Sequence, residues 1–369
     1  MKKALLIIIL FFVYGYLFAQ KETPIYSFFA AGHTYGNPND YHLGLHYPFV
    51  DYFPNINDYP NMELGFLTGD VVYQSTAIYW DSAEIDMNQL NMPLYISAGN
   101  HDVSSEFINR FGSYYSSFVF NNDLFIRLSV SESFWNITGD QLDFFINSLD
   151  EYASSVNHIF IFLHELIWWS PTNEYQDIII NFEPIYPGST NFDPVIKPLL
   201  LSYSNPITLY AGDLGATTAV SFVMYDHYDN ITLIASGMGG GVNDNIIITN
   251  VYEDSVYYDL VAINGDNPNA LGELTDYSLI SSTQETNHSN LTIFPNPATD
   301  FVYLHVSEDF ITSEELSVQL INNMGILVDR FTLRKTSNKI DLRNYNTGVY
   351  YFIIQNRSGF IETYKIVIL

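Results

Sequence analysis

The sequence predicts an α/β domain followed by a small all-β sandwich, and three observations carry that prediction. Six short apolar runs recur between residues 26 and 235, each with a polar or glycine-bearing stop, as expected for strands covered on both faces. Between two of these runs, residues 138–149 join a capping residue to helical apolar spacing. After an intervening polar segment, the pattern changes to period-two runs separated by turn signals, the signature of a β-sandwich. The alternation in the first part places any chemistry at strand ends.

Taken in order, the chain opens with Lys2-Lys3, an apolar stretch over 4–18, and Ala19-Gln20-Lys21. A basic start, a hydrophobic stretch and a small residue at the cut read as a secretory signal peptide over 1–20. The stretch is shorter than the roughly 20 residues a spanning helix needs, and no later segment is long enough, so the mature protein is expected to lack a transmembrane segment. The strands expected next are 26–31, 64–68, 93–97, 158–163, 206–210 and 231–235, all within a domain over 21–265. Residues 266–290, rich in Asn, Gly, Ser, Thr and Asp, read as a linker, and 291–369 as the sandwich domain.

At 369 residues the chain can build two cores. It contains no cysteine, which excludes disulfides and thiolate metal sites. The formal charge is −28, and from Lys21 to the linker the only cations are Lys21, Arg110, Arg127 and Lys197. Nucleic acid is therefore a poor partner, because binding it depends on Lys and Arg at the phosphates. The same field attracts divalent cations. A basic lock for a highly charged phosphate substrate is largely missing.

Three clusters follow apolar runs: Gly32-His33-Thr34-Tyr35-Gly36, Gly69-Asp70, and Gly99-Asn100-His101-Asp102. Each belongs on a loop leaving a buried strand, where distant side chains can converge on one metal centre. In this order the clusters resemble the calcineurin-like metallophosphoesterases over roughly residues 25–245. The resemblance implies a four-layer α/β/β/α sandwich and hydrolysis of phosphate esters at metal held by strand-end ligands. Asp70 matches the bridging carboxylate, Asn100 the amide ligand, His101 the general acid and His164 the lone downstream histidine. His33 matches the histidine of the first motif, whereas Ala31 stands in place of its aspartate. In the last motif Asp213 replaces one histidine and Gly215 the other. The resemblance thus leaves one well-held divalent ion on Asp70, Asn100, His164 and Asp213, with His33 assisting the activated water or a second ion. The mixed donors favour Mn, Fe or Zn and keep Ca in play.

The loop after His33 carries Asp40, His42 and His46, which either repair the ligand set or form a polar surface loop. The run Ser236-Gly237-Met238-Gly239-Gly240-Gly241 lacks the lysine of a nucleotide loop and reads as a tight turn near the metal. Trp168-Trp169 reads either as a stacking wall or as core.

The C-terminal domain resembles the sorting domain of the type IX secretion system, through Ile293-Phe294-Pro295-Asn296-Pro297, Leu320-Ile321-Asn322-Asn323-Met324-Gly325, residues 342–354 and Tyr364-Lys365-Ile366-Val367-Ile368. That resemblance implies the type IX machinery as partner and a secreted or cell-surface destination. The leading expectation is a secreted metal-dependent hydrolase of small-molecule or polymer phosphoesters. The alternatives are a non-catalytic carbohydrate or surface-polymer binder on a degenerate phosphoesterase scaffold, and an enzyme acting on another ester or a sugar with the tryptophans as platform.

Overall fold

The computed structural model describes residues 23–36, 42–182, 190–278, 291–306, 316–322, 326–333, 336–355 and 361–369. The expected signal peptide, Asp40 and residues 279–290 lie outside the described residues.

Two mixed sheets face each other. In the first, β1 (Tyr26–Ala31), β2 (Met62–Leu67) and β3 (Leu94–Ile96) run parallel, and β10 (Asn245–Val251) and β11 (Val256–Ala262) extend it antiparallel beyond β1. The second contains β4 (Ser116–Phe120), β5 (Asp123–Arg127), β6 (Ile159–Phe162), β7 (Ile207–Ala211), β8 (Val223–Tyr228) and β9 (Ile231–Ser236). Its spatial order is β4-β5-β6-β7-β9-β8, with β5, β6, β7 and β9 parallel.

The central strands are apolar on both faces because each face meets a different layer. Phe28, Phe66, Phe125, Phe162 and Tyr210 fill the gap between the sheets. There the Phe66 and Phe162 rings stack 3.7 Å apart at 2°. On the outer face of the first sheet, Phe29 and Ala31 pack against α1 (Tyr47–Asn57), α2 (Ala77–Met87) and α3 (Ser105–Phe111) through Phe49, Trp80 and Phe107. On the outer face of the second sheet lie α4 (Gly139–Tyr152) and α5 (Lys197–Leu201), anchored by Leu142, Phe145, Leu149 and Leu199. The result is the four-layer α/β/β/α arrangement. No described helix is long and apolar enough to cross a membrane.

The first part of the expected linker is packed structure. Residues Leu274–Tyr277 form a 3₁₀ turn whose Leu274 is buried in the inter-sheet core, and Tyr277 meets Phe222 edge-on. The composition is polar because most of these residues are exposed, while one leucine anchors the segment.

The C-terminal strands form two sheets. One contains β12 (Leu291–Phe294), β13 (Phe301–Val306) and β16 (Ser337–Asp341); the other contains β14 (Leu316–Asn322), β15 (Leu327–Leu333), β17 (Gly348–Gln355) and β18 (Ile361–Ile368). Val302, Leu304, Val318, Leu320, Phe352 and Ile366 make the core between them. This sandwich docks on the outer helices of the first domain. Phe294 and Tyr303 join the core over the second sheet, Lys339 Nζ sits 3.0 Å from Asp143, and Thr336 donates to Asp150 at 3.0 Å.

Two predictions follow from this packing. Replacing Phe66 by Ala removes half of the stacked pair at the centre of the sandwich and is expected to cost about 3–5 kcal/mol in urea unfolding; a loss under about 1 kcal/mol contradicts this core. His305 is buried against Tyr203, with ring centroids 4.5 Å apart and no hydrogen-bond partner on Nδ1, and burial pushes its pKa down to about 3. The unfolded imidazole protonates near pH 6.5, so stability present above that pH is lost as the pH falls towards 3. Between pH 7 and pH 5 the wild type should lose about 2 kcal/mol more than His305→Phe, and parallel profiles for the two proteins contradict the assignment.

Candidate functional site

Five strand ends converge on one buried point. The chain leaves β1 at Gly32-His33, β2 at Thr68-Gly69-Asp70, β3 at 97–102, β6 at Leu163-His164 and β7 at Gly212-Asp213. The two sheets approach here at backbone distance: a Cβ on Gly212 would lie 1.8 Å from the Thr68 carbonyl oxygen, and one on Gly32 would lie 2.3 Å from Gly212 Cα. Only glycine permits that contact. His33 and Asp70 adopt left-handed backbone at φ 57° and 52°, a conformation uncommon outside glycine that redirects each side chain at the strand end. Hydrogen bonds from His33 N to Gly69 O and from Gly212 N to His164 O hold the turns together.

Asp70 is the hub. Its carboxylate accepts from the backbone N–H of His101 at 3.1 Å and lies 3.6 Å from His33 Nε2, 3.3 Å from His164 Nε2 and 4.0 Å from His101 Nε2. Asp213 Oδ1 lies 3.7 Å from His164 Nε2 and accepts from Asn181 Nδ2 at 3.0 Å. Ligand atoms of His33, Asp70 and Asp213 all fall within 4.8 Å of one another. Asp213 therefore shares the pocket of Asp70. His164 donates Nδ1–H to Thr68 O at 2.9 Å, which turns Nε2 towards the carboxylates. That nitrogen is buried and makes no hydrogen bond.

The electrostatics follow from burial and proximity. Burial pushes the Asp213 carboxyl up to about 6, with His164 opposing the shift and Asp70 adding to it. Burial also raises Asp70, but His164, His33 and His101 together outweigh it and hold the group below the usual carboxylate range. For His33, burial wins over Asp70 and lowers the pKa to about 4. Burial disfavours charge on His164 as well; Asp70 and Asp213 outweigh it and raise this imidazole well above its ordinary value. The pocket thus calls for positive charge between two carboxylates.

His101 stands at the edge, with its side chain 30% exposed and Nδ1–H donating to Tyr73 O at 2.7 Å, so Nε2 faces the centre. Asn100 is exposed beside it. Asp102 is fully buried: Oδ1 accepts from Val71 N at 2.9 Å and Val72 N at 3.2 Å, and Oδ2 from Gly99 N at 2.9 Å. It ties the loop after β2 to the loop after β3.

Several side chains occupy other places than the sequence suggested. His42 stacks on Tyr47 at 3.6 Å between centroids, and His46 pairs with Asp244 at 2.8 Å, so neither joins the ligand cluster. Their helical spacing has no helix beneath it, since α1 begins at Tyr47. Trp168 and Trp169 are 1% and 4% exposed, with Trp168 Nε1 directed at Met224 Sδ, so they are core and not a stacking wall. The glycine run packs against the last motif, where a Cβ on Gly215 would lie 2.4 Å from Gly237 O; this is the tight turn expected.

Other residues of the site carried little signal in the sequence. Tyr35 lies inside the first motif, its ring 4.6 Å from His33 and 5.2 Å from His101. Tyr73 is 5.6 Å from Tyr35 and 5.7 Å from His101. Glu165 is buried beside His164 and accepts from the Ser131 hydroxyl, and burial raises its pKa to about 7. Asn181 comes from a segment without any motif. The Asp102 staple yields a direct test: Asp102→Ala leaves three buried N–H groups without their acceptor, and should cost about 2–4 kcal/mol in urea unfolding. A cost below about 0.5 kcal/mol contradicts the staple.

Residues 39–214 match the family model for calcineurin-like phosphoesterases, and residues 292–369 match that for the secretion system C-terminal sorting domain. No curated protein matches the chain. Among solved structures it is similar to the purple acid phosphatase PPD1 from yellow lupin (Lupinus luteus) seeds, at 13% identity and a TM-score of 0.48, over 66% of this chain and 52% of that one. The chain therefore spans about half the length of that phosphatase. A duf3244 family protein with an immunoglobulin-like β-sandwich fold from Bacteroides vulgatus matches 22% of this chain and 86% of its own, at 12% identity and a TM-score of 0.19. PorZ, a surface component of the type-IX secretion system of Porphyromonas gingivalis, matches 33% of this chain and 15% of its own, at 14% identity and a TM-score of 0.19. The chain joins a calcineurin-like phosphoesterase domain to a secretion system C-terminal sorting domain.

Proposed function

We propose that this protein is a secreted, metal-dependent hydrolase of phosphate esters, with Asp70, His164 and Asp213 holding one divalent ion. The observation that carries the reading is the buried Nε2 of His164, which lacks a hydrogen bond and faces carboxylate oxygens of Asp70 at 3.3 Å and Asp213 at 3.7 Å. A cation satisfies that nitrogen and both carboxylates at once. The donor set of one imidazole and two carboxylates suits Mn, Fe or Zn, with Ca also accommodated by its oxygens. His33 Nε2, 3.6 Å from the Asp70 carboxylate, lines the same pocket, with Asn100 exposed next to His101.

A bound divalent ion supplies Lewis-acid polarisation of the phosphoryl oxygens and makes water a stronger acid. The remaining work belongs to side chains. His101 keeps Nδ1–H on the Tyr73 carbonyl, so its cationic form releases the Nε2 proton towards the leaving oxygen and returns to a neutral tautomer that is already hydrogen-bonded. His33, held neutral by burial, offers Nε2 as an acceptor for a proton of the attacking water. The sorting domain supports export through the type IX machinery to a secreted or surface location, with the N-terminal segment as signal peptide.

Ala31, Gly215 and the scarcity of cations favour the second reading, a binding protein on a phosphoesterase scaffold. Metal analysis and turnover separate the two. The purified chain should contain about one Mn or Zn per molecule and cleave a nitrophenyl phosphate ester. Asp70→Ala should lose both properties. His101→Ala should keep the metal and lose about 10²–10⁴ in kcat. A chain that neither retains metal nor turns over substrate after Mn or Zn supplementation supports the binding protein instead.

A further inference from the structure

We infer that the substrate of this site is a small phosphodiester carrying a single negative charge, with a ring on its leaving arm that rests on Tyr35 and Tyr73. This rests on the phosphoesterase reading above and narrows it.

Charge limits the substrate first. Residues 22–290 contain only Arg110, Arg127 and Lys197 as cations, and each is committed elsewhere. Arg110 is paired with Asp81, Glu84 and Glu106. Arg127 donates to the Ile96 carbonyl and to Ser116 Oγ. Lys197 faces Asp193 and lies over the Tyr228 ring. One divalent ion held at this site would be balanced by the two carboxylates, Asp70 and Asp213. A phosphomonoester is mostly a dianion above pH 6 and brings a second charge with no lysine or arginine to meet it. A diester is a monoanion across the whole range. Within a chain of net charge −28, that difference acts on approach as well as in the pocket.

Shape and surface limit it further. Tyr35, Tyr73 and His101 form one ring cluster, with all three centroid distances between 5.2 and 5.7 Å. Tyr73 is 38% exposed and Tyr79 continues the cluster 6.4 Å away. The group protonated by His101 therefore departs past the Tyr35 and Tyr73 rings. Such a surface gains from a planar or pyranose ring and offers a second phosphate nothing. Long polyanions are disfavoured by the same lack of cations, which limits the substrate to a small diester.

The test compares bis(4-nitrophenyl) phosphate with 4-nitrophenyl phosphate on the full chain loaded with Mn(II), at pH 7.5. The diester should be preferred by at least about 100-fold in kcat/KM. Tyr73→Ala, which keeps the backbone carbonyl that orients His101, should raise KM for the diester about fivefold or more with a smaller change in kcat. Tyr73→Arg should narrow the diester-to-monoester ratio at least tenfold by supplying the missing cation. Equal or better turnover of the monoester overturns the inference and leaves the phosphoesterase reading standing. A diester preference unmoved by both Tyr73 variants overturns the assignment of the tyrosine face. Turnover of neither ester, with Mn bound or not, overturns the phosphoesterase reading and the inference with it.

Discussion

The site depends on one constraint: the two sheets touch, backbone to backbone, where β2 and β7 end. Gly212 lies so close to Thr68 and to Gly32 that no side chain fits between them. This contact brings Asp213 and His164 of the second sheet against Asp70 and His33 of the first. Without it the ligands would be separated by a layer of side chains, as the sheets are elsewhere in the sandwich. The aromatic stack of Phe66 on Phe162 fills the gap a few residues earlier on the strands leading to Asp70 and His164. Packing thus sets the spacing, and glycine closes it.

Burial then converts spacing into chemistry. Asp70 and Asp213 are 1% and 2% exposed, and His164 is fully buried. Charges this deep are costly unless compensated. Asp70 and Asp213 push the His164 pKa up against burial, so a proton on that imidazole offsets part of the charge. A divalent ion bound there would offset more of it. Asp102 serves a different purpose from its neighbours: it spends both oxygens on backbone N–H groups and fixes the loops that carry Asp70 and His101. Two aspartates on adjoining loops therefore differ in role because one faces donors of its own backbone and the other faces imidazoles.

Much of this was legible from residue order. The strands ending at Ala31, Leu67, Ile96, Phe162 and Ala211 are short apolar runs with sharp polar stops, and α4 has a clean apolar stripe that starts after Thr138, although the threonine side chain makes no capping hydrogen bond. Strands such as β4 and β8 were less legible because they are edges, only half covered, with Ser116 and Ser117 in β4 and an exposed His227 beside a buried Asp226 in β8. Helices α1 and α2 escaped for another reason: α1 contains Pro48 and Pro54, and α2 has almost no apolar asymmetry along its length. At the site, the sequence singles out His33, Asp70, His164 and Asp213, which the strand ends bring close together, while Asn100 stays exposed. It does not single out Asn181 and Glu165, since their roles arise from contacts that no local pattern encodes. The tryptophan pair and His42 with His46 carried chemistry-bearing side chains that the fold uses for packing and for a tie to Asp244.

The proposed divalent ion between Asp70, Asp213 and His164 is open to anomalous diffraction from crystals grown with Zn(II). A single strong peak is expected about 2.0–2.2 Å from His164 Nε2 and from an oxygen of each aspartate. A peak only at His42 or His46, or no peak at the strand ends at saturating zinc, contradicts it.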